Sequence, residues 1–256
     1  MEPSNHKKGQ HLNLRNVAQN FMDGLQRHAD MLAFNLAARE SVQEAAYKQR
    51  SLAPRIMPAG KRHQNFEQMQ AYARDLLVRQ VINDSLGLCS SALNSCHFFF
   101  ALIRETNASD QVDPESQKQA EKQHKRFLKL SLEEKFEFLE KQYNVSSNYK
   151  QTIFSLIIAL RALVENGGIL KADFFPNPHP LGQLEIAIKR LKLDEKTEPQ
   201  SPTTGKMIDE IKIFRSGEAI VFSDVEIQRI LVTIASFADS LFKSVATYAR
   251  KVKEQH

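Results

Sequence analysis

The spacing of apolar residues predicts helices over most of the chain. Between residues 12 and 50, apolar side chains recur at steps of three and four residues, the spacing of one helical face. The positions on this face are Leu14, Val17, Phe21, Leu25, His28 and Leu32. We predict one long amphipathic helix over 12–50, in which His28 is a core histidine with a satisfied hydrogen bond. Residues 51–65 contain Pro54, Pro58 and Gly60 and are predicted to be a connector.

Residues 66–105 are predicted to form a second long helix, or two helices broken near Gly87. The half from Val81 to Ile103 contains no Lys, Arg or Glu and a single acid, Asp84. A helix that is apolar nearly all round belongs in an interior or between subunits. This segment therefore predicts either a buried helix or a subunit interface.

Two further helical regions follow. Residues 115–142 are charged and helical, and Ser131 to Glu134 has the form of a capping box. Residues 148–165 are predicted to form the most apolar helix of the chain. Asn166-Gly167-Gly168 ends that helix, because glycine adopts the left-handed conformation common at helix C-termini.

The pattern changes before the last helix. Asp173–Pro180 contains three prolines and cannot be helical, and Leu184–Leu193 alternates like a strand but is short enough to be helix. Ile208–Phe222 alternates around Ser216-Gly217, which predicts a hairpin turn there. Ser223-Asp224 supplies an N-cap for a final helix that runs to about Lys253. We predict an all-α fold of five or six helices, with a small β-hairpin before the last one.

Composition limits the class of protein. The chain has 256 residues, of which 42% are hydrophobic, with 9 Gly and 2 Cys. These proportions fit a soluble globular chain and exclude a collagen-like repeat or a disulfide scaffold. The net charge of +5 lies within residues 1–62, and the remainder is balanced. Either a solvated helix face or an anionic partner accounts for this charge, so Arg15, Arg27 and Arg39 are candidate nucleic-acid contacts.

The cysteines and the most apolar short stretch of the chain give an expectation for the cellular location of the protein. Cys89 and Cys96 are seven residues apart on one helix, about 10.5 Å along its axis, too far for a disulfide. No Cys/His cluster accompanies them, and we predict no metal and no cofactor. No apolar run follows the pair Lys7-Lys8, so we expect no secretory signal, and Ile153–Val164 is interrupted by Arg161 and too short to span a bilayer. We expect a cytoplasmic protein without membrane contact.

Common catalytic motifs are absent from the sequence. The chain has no Gly-rich phosphate loop, no Gly-x-Ser-x-Gly nucleophile elbow and no HExxH zinc motif. We therefore predict no catalytic residue from motifs.

One segment resembles a known family. Ile157 to Leu170, IIALRALVENGGIL, is similar to the second signature helix of HEPN domains. The apolar helix Val81–Ile103 and the segment Gly217–Leu231 resemble two other elements of that family, so the match covers about Phe66–Lys253. The resemblance implies a HEPN-like helical domain at 63–256, preceded by a basic helix and connector at 1–62.

The chain departs from the family at its catalytic motif. HEPN ribonucleases carry Arg-x4–6-His, and aligned back from Asn166 this chain has Glu165 at the His position and Leu160 at the Arg position. Imidazole titrates near neutrality and can move protons at pH 7, whereas a carboxylate would repel the phosphodiester. Arg161, Glu165 and Asn166 are then a candidate binding cleft without catalysis. The alternative is a simple ion pair between Arg161 and Glu165, four apart on one helix face.

The resemblance implies a function as well as a fold. We expect a homodimer that binds RNA or a protein partner without catalysis, in a defence or toxin–antitoxin setting by family analogy. One alternative is a metal-independent ribonuclease that uses Arg161 with a distant imidazole such as His97 or His28. Another is a nucleic-acid binder that uses the basic N-terminal helix.

Overall fold

The computed structural model describes residues 13–51, 65–105, 114–175, 182–193 and 205–254. This part of the chain is mostly helical, with a two-stranded antiparallel hairpin before the last helix, as the sequence predicts. The described residues form seven α-helices instead of the predicted five or six, because 12–50 and 115–142 each form two. The helices are α1 (Leu14–Ser41), α2 (Glu44–Ser51), α3 (Phe66–Glu105), α4 (Pro114–Phe127), α5 (Leu132–Tyr143), α6 (Lys150–Glu165) and α7 (Asp224–Glu254). The strands are β1 (Gln183–Leu193) and β2 (Gly205–Arg215), and a 3₁₀ turn spans Ala172–Phe174.

The prediction of one helix over 12–50 is wrong, because α1 ends at Ser41 and α2 begins at Glu44. The Ser41 hydroxyl donates to the carbonyl of Ala38 (2.8 Å). The buried stripe of α1 also stops at Leu32, and Val42 is 47% exposed. Without a buried face beyond Leu32, packing does not hold the helix together through this point.

Helix α3 continues through Gly87 without a break. Its apolar half is packed inside the protein. The buried residues are Val81, Ile82, Ser85, Leu86, Cys89, Ala92, Leu93, Cys96, His97, Phe100 and Ala101. Of the two explanations offered for this segment, burial within the chain accounts for its composition. Cys89 and Cys96 are free and buried, as predicted.

Two helices begin with reciprocal caps. At α5 the Ser131 hydroxyl accepts from the amide of Glu134 (3.2 Å), and the Glu134 carboxylate accepts from the amide of Ser131 (2.7 Å), so the predicted capping box is confirmed. At α7 Ser223 and Glu226 make the same exchange, which confirms Ser223 as the N-cap. Each exchange satisfies two amides that the first helical turn leaves unpaired.

Helix α6 ends at the predicted glycines. Gly167 and Gly168 adopt φ of 59° and 88°, a region that side-chain-bearing residues rarely enter. The amide of Gly168 donates back to the carbonyl of Ala162 (2.9 Å), which closes the helix end. The chain then leaves in extended form, and Ile169 forms a β-bridge with Ala219.

The hairpin forms between strands other than those predicted. Strand β1 pairs with β2 from Gln183↔Arg215 to Leu193↔Gly205, so Leu184–Leu193 is strand and Ser216-Gly217 ends β2 instead of turning a hairpin. Ile220 and Phe222 beyond the turn are buried instead of extending the sheet. The predicted loop 194–206 lies outside the described residues except for the start of β2, as do residues 176–180.

The described chain divides into two compact units. Unit 1 contains residues 13–23, 89–105, 114–148 and 238–254, and unit 2 contains 24–51, 65–88, 149–175, 182–193 and 205–237. Each unit has its own apolar core. Large buried side chains of unit 1 are Phe21, Leu93, Phe100, Phe127, Phe136 and Leu139, and those of unit 2 are Leu32, Ile82, Ile153, Leu156, Phe222 and Phe237. The division of the sequence at 62/63 stays a prediction.

Two helical segments, Phe66–Ile103 and Asp224–Val252, are long and apolar enough to cross a membrane by length and composition. The sequence-based expectation considered the shorter stretch Ile153–Val164 and missed both. In each, 44% of the most apolar window is buried inside the protein, and core helices of soluble proteins pass the same test. A cytoplasmic location therefore stays a prediction.

Candidate functional site

The predicted cleft residues lie at the C-terminal end of α6. Arg161 Nε contacts Glu165 Oε2 at 3.0 Å, and the two side chains are 50% and 53% exposed. The Arg161 guanidinium also lies over the ring of Phe174, 4.8 Å from its centroid. The two side chains therefore form the intrahelical ion pair that was the alternative to a binding cleft. Glu165 and Phe174 contact the Arg161 guanidinium on two sides.

Asn166 has a local role at the same helix end. Its side-chain amide donates to the carbonyl of Ile169 (2.8 Å), and its backbone amide donates to the carbonyl of Ala162 (3.1 Å). Both bonds secure the exit from α6. Arg161, Glu165 and Asn166 are thus close together, but each is already engaged within the chain.

Arg39, a predicted nucleic-acid contact, is part of an ion-pair cluster at the start of α7. Asp224 accepts from Arg39 Nη2 and from Arg74 Nε, each at 2.9 Å, and Arg74 also donates to the carbonyl of Phe222. Burial alone would raise the pKa of Asp224, but the hydrogen bonds and charges of Arg74 and Arg39 outweigh it and lower that pKa. Asp224 also lies in the first turn of α7, where a carboxylate is favoured by the helix dipole.

The other two predicted N-terminal contacts differ from Arg39. Arg15 and Arg27 are exposed on α1, and neither forms an ion pair with another described residue. They remain available cations, whereas Arg39 would have to leave Asp224 to contact a ligand.

Helix α4 and the turn after it carry a larger set of free cations, which the sequence analysis treated only as part of a charged helix. We call them the α4 cations, and Lys129 among them follows the end of the helix at Phe127. These residues are exposed and have no ion pair within the described ranges: Lys118, Lys122, Lys125, Arg126 and Lys129. The sequence signal is visible in retrospect, because residues 122–132 contain four cations and no acid. Glu121, which is four residues before Lys125, instead accepts from the side chain of Gln117 (3.0 Å).

A groove of about 510 Å³ runs beside this cationic face. Lys122, Arg126 and Gln119 line this groove, the partly exposed Phe138 contributes aromatic surface, and the buried Phe127 lies behind it. The two rings make an edge-to-face contact at 5.4 Å. Cations, an amide and aromatic carbon in one concave surface suit a ligand with phosphates and flat rings.

Two histidines lie under this surface. His97 is buried, stacks on Phe127 at 4.1 Å between ring centroids, and its Nδ1 lies 3.3 Å from Nδ1 of His124. Burial, assisted by the nearby His124, lowers the pKa of His97 to about 4. Burial also lowers the pKa of His124, with a contribution from the Lys135 charge. Both rings are therefore neutral at pH 7, and one nitrogen donates to the other.

Lys135 is the buried cation of the same cluster. Its ammonium donates to the hydroxyl of Ser90 (2.9 Å) and lies 6.0 Å from the ring of Phe127. Burial lowers the pKa of Lys135. A lysine 5% exposed with a hydroxyl partner is a packing element of unit 1 rather than a ligand contact.

His28 differs from the sequence prediction. Its Nδ1 is buried and has no hydrogen-bond partner within the described part of the chain, so the prediction of a satisfied core histidine is wrong. The physical reason is its place on the apolar stripe of α1, where its neighbours Leu25 and Leu32 offer no polar group.

No group of three or more His, Cys, Asp or Glu side chains that could hold a metal ion occurs in the ranges the structure describes. Comparison of the chain with protein-family models, curated proteins and solved structures finds no match.

Proposed function

We propose that this chain is a non-catalytic, cytoplasmic HEPN-like module that acts as a homodimer and binds RNA through α4. The observation that carries the binding proposal is the set of exposed α4 cations without carboxylate partners, beside a groove with aromatic surface. The HEPN-like assignment is supported by element order: the apolar helix α3, then α6 with its Asn-Gly-Gly end, then α7 entered from an extended segment. A defence or toxin–antitoxin setting follows by family analogy alone.

RNA is favoured over a protein partner by the chemistry of this surface. Cations that lack carboxylates gain most from phosphates, because binding releases the counterions condensed on a polyanion. Phe138 is partly exposed in the groove and offers a face on which an unpaired base can stack. A protein interface would favour a more apolar centre with few lysines.

The absence of catalysis is supported by the state of the candidate groups. Arg161 is neutralised by Glu165, which occupies the position of the family's histidine. Of the two imidazoles considered as substitutes, His97 has a pKa lowered to about 4 and stacks among aromatic rings. A general base or acid works best with a pKa near the operating pH, which His97 does not have.

Binding is tested with a fluorescent single-stranded RNA and a titration of salt. The variant Lys122→Glu/Arg126→Glu is compared with Lys141→Glu/Lys243→Glu, which makes the same change of charge at lysines of unit 1 that pair with Glu137 and Asp239. We expect the α4 variant to bind at least about tenfold more weakly at 0.1 M salt, and the control to lose far less. Equal losses would show non-specific attraction, and absence of binding by the wild type would refute RNA as the ligand.

Catalysis is tested separately by incubating the protein with mixed RNA in EDTA. We expect no cleavage. Cleavage that disappears in Arg161→Ala would establish the metal-independent ribonuclease and overturn the non-catalytic proposal, whatever the binding data show.

A further inference from the structure

The outer edge of β2 carries unpaired backbone groups, and the hydrogen bonds of β1 show which ones. The amide of Lys189 donates to the Thr233 hydroxyl (2.8 Å), so it points away from β2. In an antiparallel ladder, residues directly opposite share the same orientation, and orientation alternates along each strand. Lys189 is opposite Asp209, and therefore Asp209 and its alternate neighbours Met207, Ile211 and Ile213 direct their amides and carbonyls outward.

A second bond supports this assignment. The amide of Arg215, next in the same alternation, donates to the Glu218 carboxylate (2.7 Å), which lies outside the β1–β2 ladder. Among the described residues, the outward amides and carbonyls from Met207 to Ile213 have no hydrogen-bond partner.

The same residues present an apolar surface to solvent. Met207, Ile211 and Ile213 are 42%, 52% and 49% exposed, whereas the opposite face of the hairpin buries Ile186 and Phe214. A long edge strand with exposed large apolar side chains is a template for pairing with another strand.

The charges that usually protect an edge strand are used inside this chain. Asp209 pairs with Lys189 (3.0 Å), and Lys212 pairs with Glu226 (2.7 Å). Natural edge strands avoid pairing through unpaired charges, especially lysine. Lys206 at the start of β2 is exposed and has no ion pair among the described residues, but the stretch from Met207 to Ile213 lacks that protection.

We propose that the edge of β2 is the dimer interface, where β2 of a second copy of this chain adds antiparallel about a two-fold axis at Ile211. The inference rests on the homodimer of the proposed function and names its interface. In this register Ile211 faces the partner's Ile211, so exposed apolar side chains of the two edges meet at the axis. Glu210 comes opposite the partner's Lys212, and each keeps its ion pairs within its own chain, Glu210 with Arg190 and Arg229 and Lys212 with Glu226. A two-fold axis at Glu210 would instead oppose two carboxylates, which is destabilising. The pairing forms about six backbone hydrogen bonds between the copies.

The size of the protein in solution tests the interface. We expect the wild type to be a dimer by light scattering, and Ile211→Lys to be a monomer with an unchanged circular-dichroism spectrum, because two ammonium groups would meet at the axis. Val232→Lys is the control, since Val232 is also apolar, 42% exposed and in unit 2. This control is expected to stay dimeric.

A cysteine variant tests the register without weakening the pairing. At the axis the two Ile211 Cα atoms are about 5.5 Å apart, within the range of a disulfide. Mild oxidation of Ile211→Cys is therefore expected to give a covalent dimer, and Val232→Cys is not. The native Cys89 and Cys96 are buried and do not compete.

The outcomes separate the interface from the proposed dimer. A dimeric wild type with a dimeric Ile211→Lys, or with no disulfide in Ile211→Cys, refutes the β2 interface and leaves the dimer standing. A monomeric wild type refutes both, and it would indicate that the edge is covered by the chain itself or by a different protein.

Discussion

The arginines at two candidate sites of unit 2, the end of α6 and the start of α7, differ from the α4 cations of unit 1 in one respect, the presence of a carboxylate partner. Arg161 is paired with Glu165, and Arg39 and Arg74 share Asp224. The five α4 cations have no such partner within the described residues. Net charge alone does not indicate which cations are available, because an arginine already bound to a carboxylate must break that bond before it binds phosphate. The α4 face is therefore the better candidate for an anionic ligand.

Neutralising all five α4 cations is expected to have the largest effect on RNA affinity and tests whether cations without carboxylate partners bind the RNA. Replacing Lys118, Lys122, Lys125, Arg126 and Lys129 by Gln is expected to weaken RNA binding by about 100-fold at 0.1 M salt. It should also reduce the slope of log K against log salt by roughly 3 to 4, because each cation releases less than one counterion. Fluorescence anisotropy at several salt concentrations measures both quantities.

The matched comparison is Arg15→Gln/Arg27→Gln. We expect this variant to lose less affinity than the removal of any two α4 cations. A larger loss of RNA affinity would show that RNA binds at the N-terminal helix α1, and it would contradict the α4 proposal.

The histidines beneath α4 predict a pH dependence of stability. His97 has a folded pKa of about 4, below the ordinary 6.5, so the unfolded chain binds more protons between these values. The contribution of neutral His97 to the free energy of unfolding is complete above pH 6.5 and is lost as the pH falls toward 4. We expect the free energy of unfolding to fall by about 2 kcal/mol between pH 7 and 5.

Urea denaturation across this range measures the effect. In His97→Gln the free energy of unfolding should depend less on pH. The comparison with the wild type uses the slope of that free energy with pH, not its absolute value. An unchanged slope in the variant would show that another group is responsible.

Asp224 is the opposite case, because the arginines bound to it are expected to stabilise the fold and not to bind RNA. Asp224→Asn is expected to lower the free energy of unfolding by about 1–2 kcal/mol, because two partly buried arginines lose a charged acceptor. The loss is no larger because the Asp224 side chain is 35% exposed and solvent screens its charge. RNA affinity should not change. The control Asp239→Asn removes an exposed pair with Lys243 and should cost about 0.5 kcal/mol or less.

The carboxylate of Asp224 also gives acid sensitivity. Because its folded pKa is lowered from 3.8, its stabilising contribution is present above that value and is lost as the pH falls through the folded pKa. The difference in unfolding free energy between wild type and Asp224→Asn should therefore shrink in strong acid.

The smallest effect is expected at Arg161. Arg161→Ala should lower stability by about 0.5 kcal/mol, the value of an exposed i,i+4 pair with a ring contact, and should leave RNA affinity unchanged. Anisotropy and urea denaturation on the same sample check both. A loss of affinity as large as that of Lys122→Glu/Arg126→Glu would restore the α6 end as the binding site.

The sequence predicted those parts of the fold that depend on near neighbours. The capping box at Ser131, the glycine end of α6 and the helical periods of α3 and α7 all involve residues within a few positions of each other. The pairing of β1 with β2 was not predicted, because alternation identifies a strand but not its partner. The break after Ser41 was also missed, because it depends on how far the buried face of α1 extends.

The candidate sites show the same limit. The ion pair of Arg161 with Glu165 follows from their spacing of four residues. The engagement of Arg39 by Asp224 joins residues 185 apart and could not be read from spacing. The free cations of α4 could be counted in the sequence, but their lack of partners is a property of the folded chain.

Burial of the two cysteines gives the protein a built-in reporter of its own opening. Burial raises the pKa of the Cys89 thiol, and that of Cys96 to about 12, so neither forms the reactive thiolate in the native state. A thiol reagent will therefore modify unlabelled wild-type protein only when unit 1 opens. The rate of that reaction measures how often the core is exposed, without denaturant or an introduced probe.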